Sequence, residues 1–123
     1  MEVSFSMVNV YDHAHSLARA LRESQEYRTL VAAREKIKGN SAVENMIKDY
    51  HTKQMELQAL QLQGKEPSAA QKAAFEQLAS VIQSSVDARD YLMAEARFGT
   101  MLQDIYKIIG EAVEVDLVPF AEK

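Results

Sequence analysis

The stretch from residue 86 to residue 114, VDARDYLMAEARFGTMLQDIYKIIGEAVE, decides the fold. Tyr91, Leu92, Phe98, Leu102, Ile105, Ile109 and Val113 recur at the spacing that puts them along one side of an α-helix. A helix from Val86 to Glu114 would be about 42 Å long. A second set, Met93, Met101, Tyr106 and Ile108, falls away from that stripe. A helix that is apolar on more than one side is buried against more than one neighbour.

Reading outward from this helix, every segment has the same period. Ser84 and Ser85 end one helix or cap the next, and Phe75, Leu78, Val81 and Ile82 form the stripe before them. Ser68 with Gln71 has the spacing of a capping box. Gly64-Lys65-Glu66-Pro67 is the clearest break and is too short for an interdomain linker, so it reads as the turn of a helical hairpin. Upstream, Ser41 with Glu44 reads as a second capping box opening a helix to Gln63, about 33 Å long. Val43, Met46, Tyr50, Leu57 and Leu60 make its main seam, and Lys53 interrupts the heptad-like pattern. Ile47, Met55 and Leu62 lie off that seam.

Gly39 suits the left-handed position past a helix end. The helix it closes starts after Ser24, carries Tyr27, Leu30, Val31 and Ile37, and ends in Arg34, Lys36 and Lys38, where cations meet the negative end of the dipole. The first helix is capped by Asn9, has Asp12 in its first turn and bears Val10, Ala14, Leu17, Ala18 and Leu21. Before it, residues 1–8 alternate in polarity, the mark of an extended arm. After it all, residues 115–123 contain Pro119 and should form a non-helical tail. The expected organisation is therefore an arm at 1–8, one helical domain at 9–114 and a tail at 115–123. The fold class is all-α: a bundle of about five helices with two long antiparallel ones.

Composition narrows function mainly by exclusion. A chain of 123 residues with 47% hydrophobic and 26% charged residues is one ordinary globular domain. It has no Cys, which removes disulfides, thiolate zinc sites and cysteine-held iron–sulfur clusters from consideration. A net charge of −4 argues against a protein built to grip nucleic acid backbone. No apolar run approaches the ~20 residues of a membrane span, and the first ten residues lack a secretory pattern. A cytoplasmic location without membrane contact is expected.

Two long helices beside two of about 21 Å cannot cover each other's apolar surface in a simple up-and-down bundle. A second copy of the chain is the simplest source of cover. The expectation is an intertwined homodimer, with Ile47, Met55, Leu62, Met101 and Ile108 as interface candidates.

No catalytic constellation is visible. His13 and His15 lie about 200° apart on a helix and cannot share a metal. No Glu has a His three residues later, as di-iron bundles require, and no H-E-x-x-H, G-x-S-x-G, G-x-G-x-x-G or P-loop pattern occurs. Glu95 stands out among the carboxylates because it lies near the Tyr91–Phe98 seam. Arg28, Arg34, Lys36 and Lys38 make the second helix locally basic and are the candidates for contact with an acidic partner or RNA. No cofactor and no catalytic residue is expected, and the chain reads as a non-enzyme.

The run Val8-Asn9-Val10-Tyr11-Asp12-His13-Ala14, followed by Leu17, Ala20-Leu21-Arg22, Ser24 and Glu26, resembles the start of the YheA-like branch of the YlbF/YmcA family. Tyr91-Leu92-Met93-Ala94-Glu95-Ala96-Arg97, then Leu102, Ile105 and Lys107-Ile108-Ile109, resembles its later signature, and the likeness extends over residues 8–113. The resemblance implies an all-helical, often intertwined dimer with no known catalysis. The YlbF and YmcA branches are linked to competence, sporulation and biofilm control through partners that influence RNA processing, and are associated with iron–sulfur clusters held by Cys. This chain has none, so that cofactor is not carried over. The leading expectation is a non-enzymatic, regulatory interaction protein with an unknown protein partner. Two others stand beside it: a bundle binding a small ligand or metal through Glu95 and Tyr91, and an accessory protein of RNA processing.

Overall fold

The structure, a computed structural model, describes residues 9–115, so the expected arm at 1–8 and all but the first residue of the expected tail lie outside the described residues. Five helices follow one another: α1 (Val10–Glu23), α2 (Gln25–Ile37), α3 (Ser41–Leu62), α4 (Ala69–Gln83) and α5 (Val86–Val113). There is no strand among the described residues.

Local chemistry sets most of the boundaries. The Asn9 side chain accepts from the backbone N–H groups of Tyr11 and Asp12, at 3.0 and 3.2 Å, and starts α1. Ser24 accepts from the Tyr27 N–H and starts α2 immediately after α1 stops. Ser68 and Gln71 form the reciprocal capping box, with Gln71 N–H to Ser68 Oγ at 3.1 Å and Ser68 N–H to Gln71 Oε1 at 2.8 Å. Ser85 caps α5 through the Ala88 N–H. Gly39 and Gly64 both have positive φ, 83° and 71°, where a side chain would be strained.

One cap differs from the sequence reading. Asn40, not Ser41, is the N-cap of α3: its Oδ1 accepts from the Val43 N–H at 3.2 Å, and Ser41 is already helical. The expected Ser41–Glu44 box is thus displaced by one residue. Asn40→Ala and Ser68→Ala should each lower stability by about 0.5–2 kcal/mol. Ser41→Ala should change it by less than about 0.5 kcal/mol, as at other exposed positions. Urea melts of the three variants check this directly.

Packing order gives the topology. On α2 and α5 the partners run in opposite directions: Tyr27 stacks against Phe98, Leu30 and Ala33 share a cluster with Ala94, and Ile37 meets Ala88. On α3 and α4 they also oppose, with Tyr50 against Phe75 at the start of the pair and Leu57 near Ala70 and Ala74 beyond it. On α3 and α5 they run together: Val43 and Ile47 pack with Ala88, and His51 meets Glu95 further along. The two long helices are therefore parallel rather than antiparallel as expected. With α4 as the one helix between them, two reversals restore the original direction.

The core is small. Ile37, Val43, Ile47, Ile82 and Ala88 form one buried cluster, Leu30, Ala33 and Ala94 another, and Tyr91 packs against both. Helix α1 contributes no buried residue, and its principal packing contact is with α2, its chain neighbour. Beyond Phe98, Met101, Leu102 and Ile105 of α5 are half-buried and Gly110 is buried, while Ile108, Ile109 and Val113 are exposed.

Candidate functional site

Helices α3 and α5 are tied across the bundle at one polar point. His51 Nε2 lies 2.6 Å from Glu95 Oε1, a short, charge-assisted distance. The Tyr91 hydroxyl, one turn before Glu95, donates to its other oxygen over a long 3.4 Å. Both ends of the His51–Glu95 pair are partly open to solvent, at 40% and 37%. Screening then keeps its energetic contribution small, and its main effect is to orient the His51 ring.

The Tyr91 phenol is pushed above its ordinary pKa, first by burial, then by the Glu95 charge and hydrogen bond, while the Arg34 charge works in the opposite direction. Glu95→Gln should lower the Tyr91 pKa toward its ordinary value near 10, without reaching it, because burial remains. A tyrosine-selective NMR titration reads this shift; an unchanged Tyr91 would separate it from Glu95.

His51 and Tyr91 line a cleft of about 560 Å³ at the end of α2 and the start of α3. Its other walls are Arg34, Glu35, Ile37, Lys38, Glu44, Ile47 and Lys48. The nearby Thr52 hydroxyl is engaged away from the cluster, donating to the Lys48 carbonyl within its own helix. Among the described residues no group of three or more His, Asp and Glu is arranged to hold a metal.

The residues singled out by sequence separate in space. Glu95 and Tyr91 are part of the polar cluster. His51, which sequence spacing gave no reason to join to them, is its third member. His13 and His15 are both exposed on α1. Of the basic set, Arg34 and Lys38 line the cleft, Lys36 lies beside Asp87 and Asp90 on another side of α2, and Arg28 donates through Nε to the Glu23 carbonyl at 3.1 Å. They do not form one continuous patch. Of the interface candidates, Ile47 is withdrawn, because it is 6% exposed inside its own chain's core. Met101 is half-buried, while Met55, Leu62 and Ile108 are exposed.

Comparison with known proteins agrees with this architecture. Residues 10–114 match the family model described as "Control of competence regulator ComK, YlbF/YmcA". A UPF0342 protein of Symbiobacterium thermophilum is 64% identical over 113 residues, covering 92% of this chain and all of the relative. A UPF0342 protein of Caldicellulosiruptor saccharolyticus is 40% identical, covering 89% of this chain and 91% of the relative. The fold is shared with a solved structure, a protein of unknown function (DUF964) from Bacillus stearothermophilus, with a TM-score of 0.68 at 16% identity over 85% of this chain and 92% of that one. No described helix is long and apolar enough to cross a membrane. The match across nearly the whole helical domain, with a 64% identical relative covered end to end, places this chain in the YlbF/YmcA family.

Proposed function

We propose that the chain is a non-enzymatic cytoplasmic interaction protein that works as a homodimer and serves a regulatory role. The observation that carries this reading is the pair of bare apolar surfaces at opposite ends of its packing scheme. Helix α1 carries its stripe on an arm that packs on α2 alone among its extensive contacts, with Val10 70% and Leu17 37% exposed. The second half of α5, beyond Phe98, leaves Ile108 66% and Val113 57% exposed.

The two surfaces match in length. Helix α1 has 14 residues and spans about 21 Å, and Gly99–Val113 of α5 spans about 22 Å. The chain turns away between them at Ser24, whose extended backbone (ψ 154°) ends the alignment of α1 with α2. An α1 helix from a second copy would lie along the second half of α5, and the arrangement would be reciprocal, as two-fold symmetry requires. Each large apolar side chain gains roughly 1.5–3 kcal/mol on full burial. Several per copy offset an association cost of about 4–15 kcal/mol.

The regulatory part of the reading draws on the description of the family model. The engagement of the Thr52 hydroxyl away from the polar cluster favours a partner-binding role over catalysis. The dispersed placement of Arg28, Lys36 and Arg34 disfavours an RNA surface, which needs neighbouring cations. Sedimentation of the wild-type chain at micromolar concentration tests the reading. Twice the chain mass is expected; a monomer would overturn it.

A further inference from the structure

We propose that the cleft between the α2–α3 turn and α5 binds a small organic anion with a flat apolar body. At about 560 Å³ it has the size of a small-molecule site. Its apolar walls are Ile37 and Ile47, both buried, and the half-buried ring of Tyr91. Three permanent cations, Arg34, Lys38 and Lys48, share its lining with Glu35 and Glu44. Among the described residues the ion pair present is His51–Glu95, so no close ion pair with a described carboxylate holds these three cations. Their charges remain available to an anionic group, and the aliphatic and aromatic walls to the body that carries it.

The polar cluster behind the cleft fixes two of its walls, His51 and Tyr91. With Nε2–H of His51 donated to Glu95, Nδ1 of the neutral ring is an acceptor, so the imidazole serves as wall and the lysines and arginine carry anion recognition. Glu95 holds both His51 and Tyr91 while lying outside the cleft lining. A neighbouring cleft of about 510 Å³ shares His51 and makes a useful contrast. It is lined by Gln54, Gln58, Gln61, Met55, Leu57 and Phe75, without a Lys or Arg. Size is nearly equal in the two clefts; the cations distinguish the one assigned here. The assignment lies within a single chain and does not depend on self-association.

The test is an NMR titration of the isotope-labelled full chain with phenyl phosphate, which joins a dianion to a flat ring. Inorganic phosphate and benzyl alcohol serve as its two halves. Phenyl phosphate should give saturable shifts at the backbone amides of Arg34–Lys38 and Glu44–His51, and each half alone should bind at least about tenfold more weakly. The double variant Lys38→Gln, Lys48→Gln should weaken phenyl phosphate about tenfold or more, while Lys65→Gln in the distant turn should not. Both cleft lysines are exposed, so the variant keeps the fold. The proposal is overturned by the absence of saturable shifts. It is equally overturned if inorganic phosphate or benzyl alcohol alone binds as tightly as phenyl phosphate, or if the double variant binds like wild type.

Discussion

Ile108→Glu should turn the proposed homodimer into a monomer and leave the helix content unchanged. Ile108 is 66% exposed in the single chain, so its side chain contributes little to intrachain packing. In a reciprocal dimer the same position occurs twice. Losing about 1.5–3 kcal/mol at each copy amounts to about 3–6 kcal/mol, a weakening of roughly a hundredfold to ten-thousandfold. A carboxylate placed against the partner's apolar stripe adds a desolvation cost in the same direction. Leu17→Glu on α1 should act likewise from the other side of the contact. If the wild type sediments at twice the chain mass and both variants do the same, the interface lies elsewhere, and the exposed Met55 and Leu62 on α3 become the surface to test. Circular dichroism guards the interpretation: a variant that loses helix has unfolded rather than dissociated.

The same pair of helices shows what the sequence makes legible. Periodicity and caps are local, and they gave the elements: Asn9, Ser24, Ser68, Gly39 and Gly64 act at the positions their chemistry suggests. The one displaced cap has a local cause as well. Asn40 and Ser41 are adjacent residues that both accept N–H groups, and Glu44 three residues after Ser41 mimics a capping box that the chain does not form. What is not local was not legible. His51 and Glu95 are 44 positions apart, and only the parallel placement of α3 and α5 brings them together. No spacing rule relates residues on two helices separated by a third. The cleft escaped for the same reason: Arg34 and Lys38 read as a dipole-matched helix end, and Lys48 lies on the next helix. Helix length, by contrast, is local, and the long α5 is present as its sequence pattern predicts. A 28-residue α5 extends well past a 13-residue α2, and Ile108 and Val113 in that extension are exposed.

Ile47→Ala should separate core from interface on α3. Ile47, Met55 and Leu62 share one off-seam face by sequence, yet only Ile47 is covered within the chain, at 6% exposure against 65% for Met55 and 63% for Leu62. The difference follows from where neighbours are available. Ile47 lies in the turns of α3 that face Ile37, Ile82 and Ala88, whereas Met55 and Leu62 lie beyond the reach of α2. Removing three carbons from a buried isoleucine costs about 2–5 kcal/mol, because the lost burial is joined by a cavity that the helices cannot close. For a domain whose whole stability is about 5–15 kcal/mol, that is a large share. Ile82→Ala, at 4% exposure in the same cluster, should cost as much. Because an assembled protein melts in a concentration-dependent way, the variants must be compared at one chain concentration. The expected signature is a lower denaturation midpoint for Ile47→Ala with unchanged sedimentation of the folded protein. Met55→Ala should leave the monomer's stability within about 0.5 kcal/mol, as exposed positions do. If Ile47→Ala instead left stability intact and weakened association, the packing of α3 on α5 would be wrong, and with it the contact that brings His51 to Glu95.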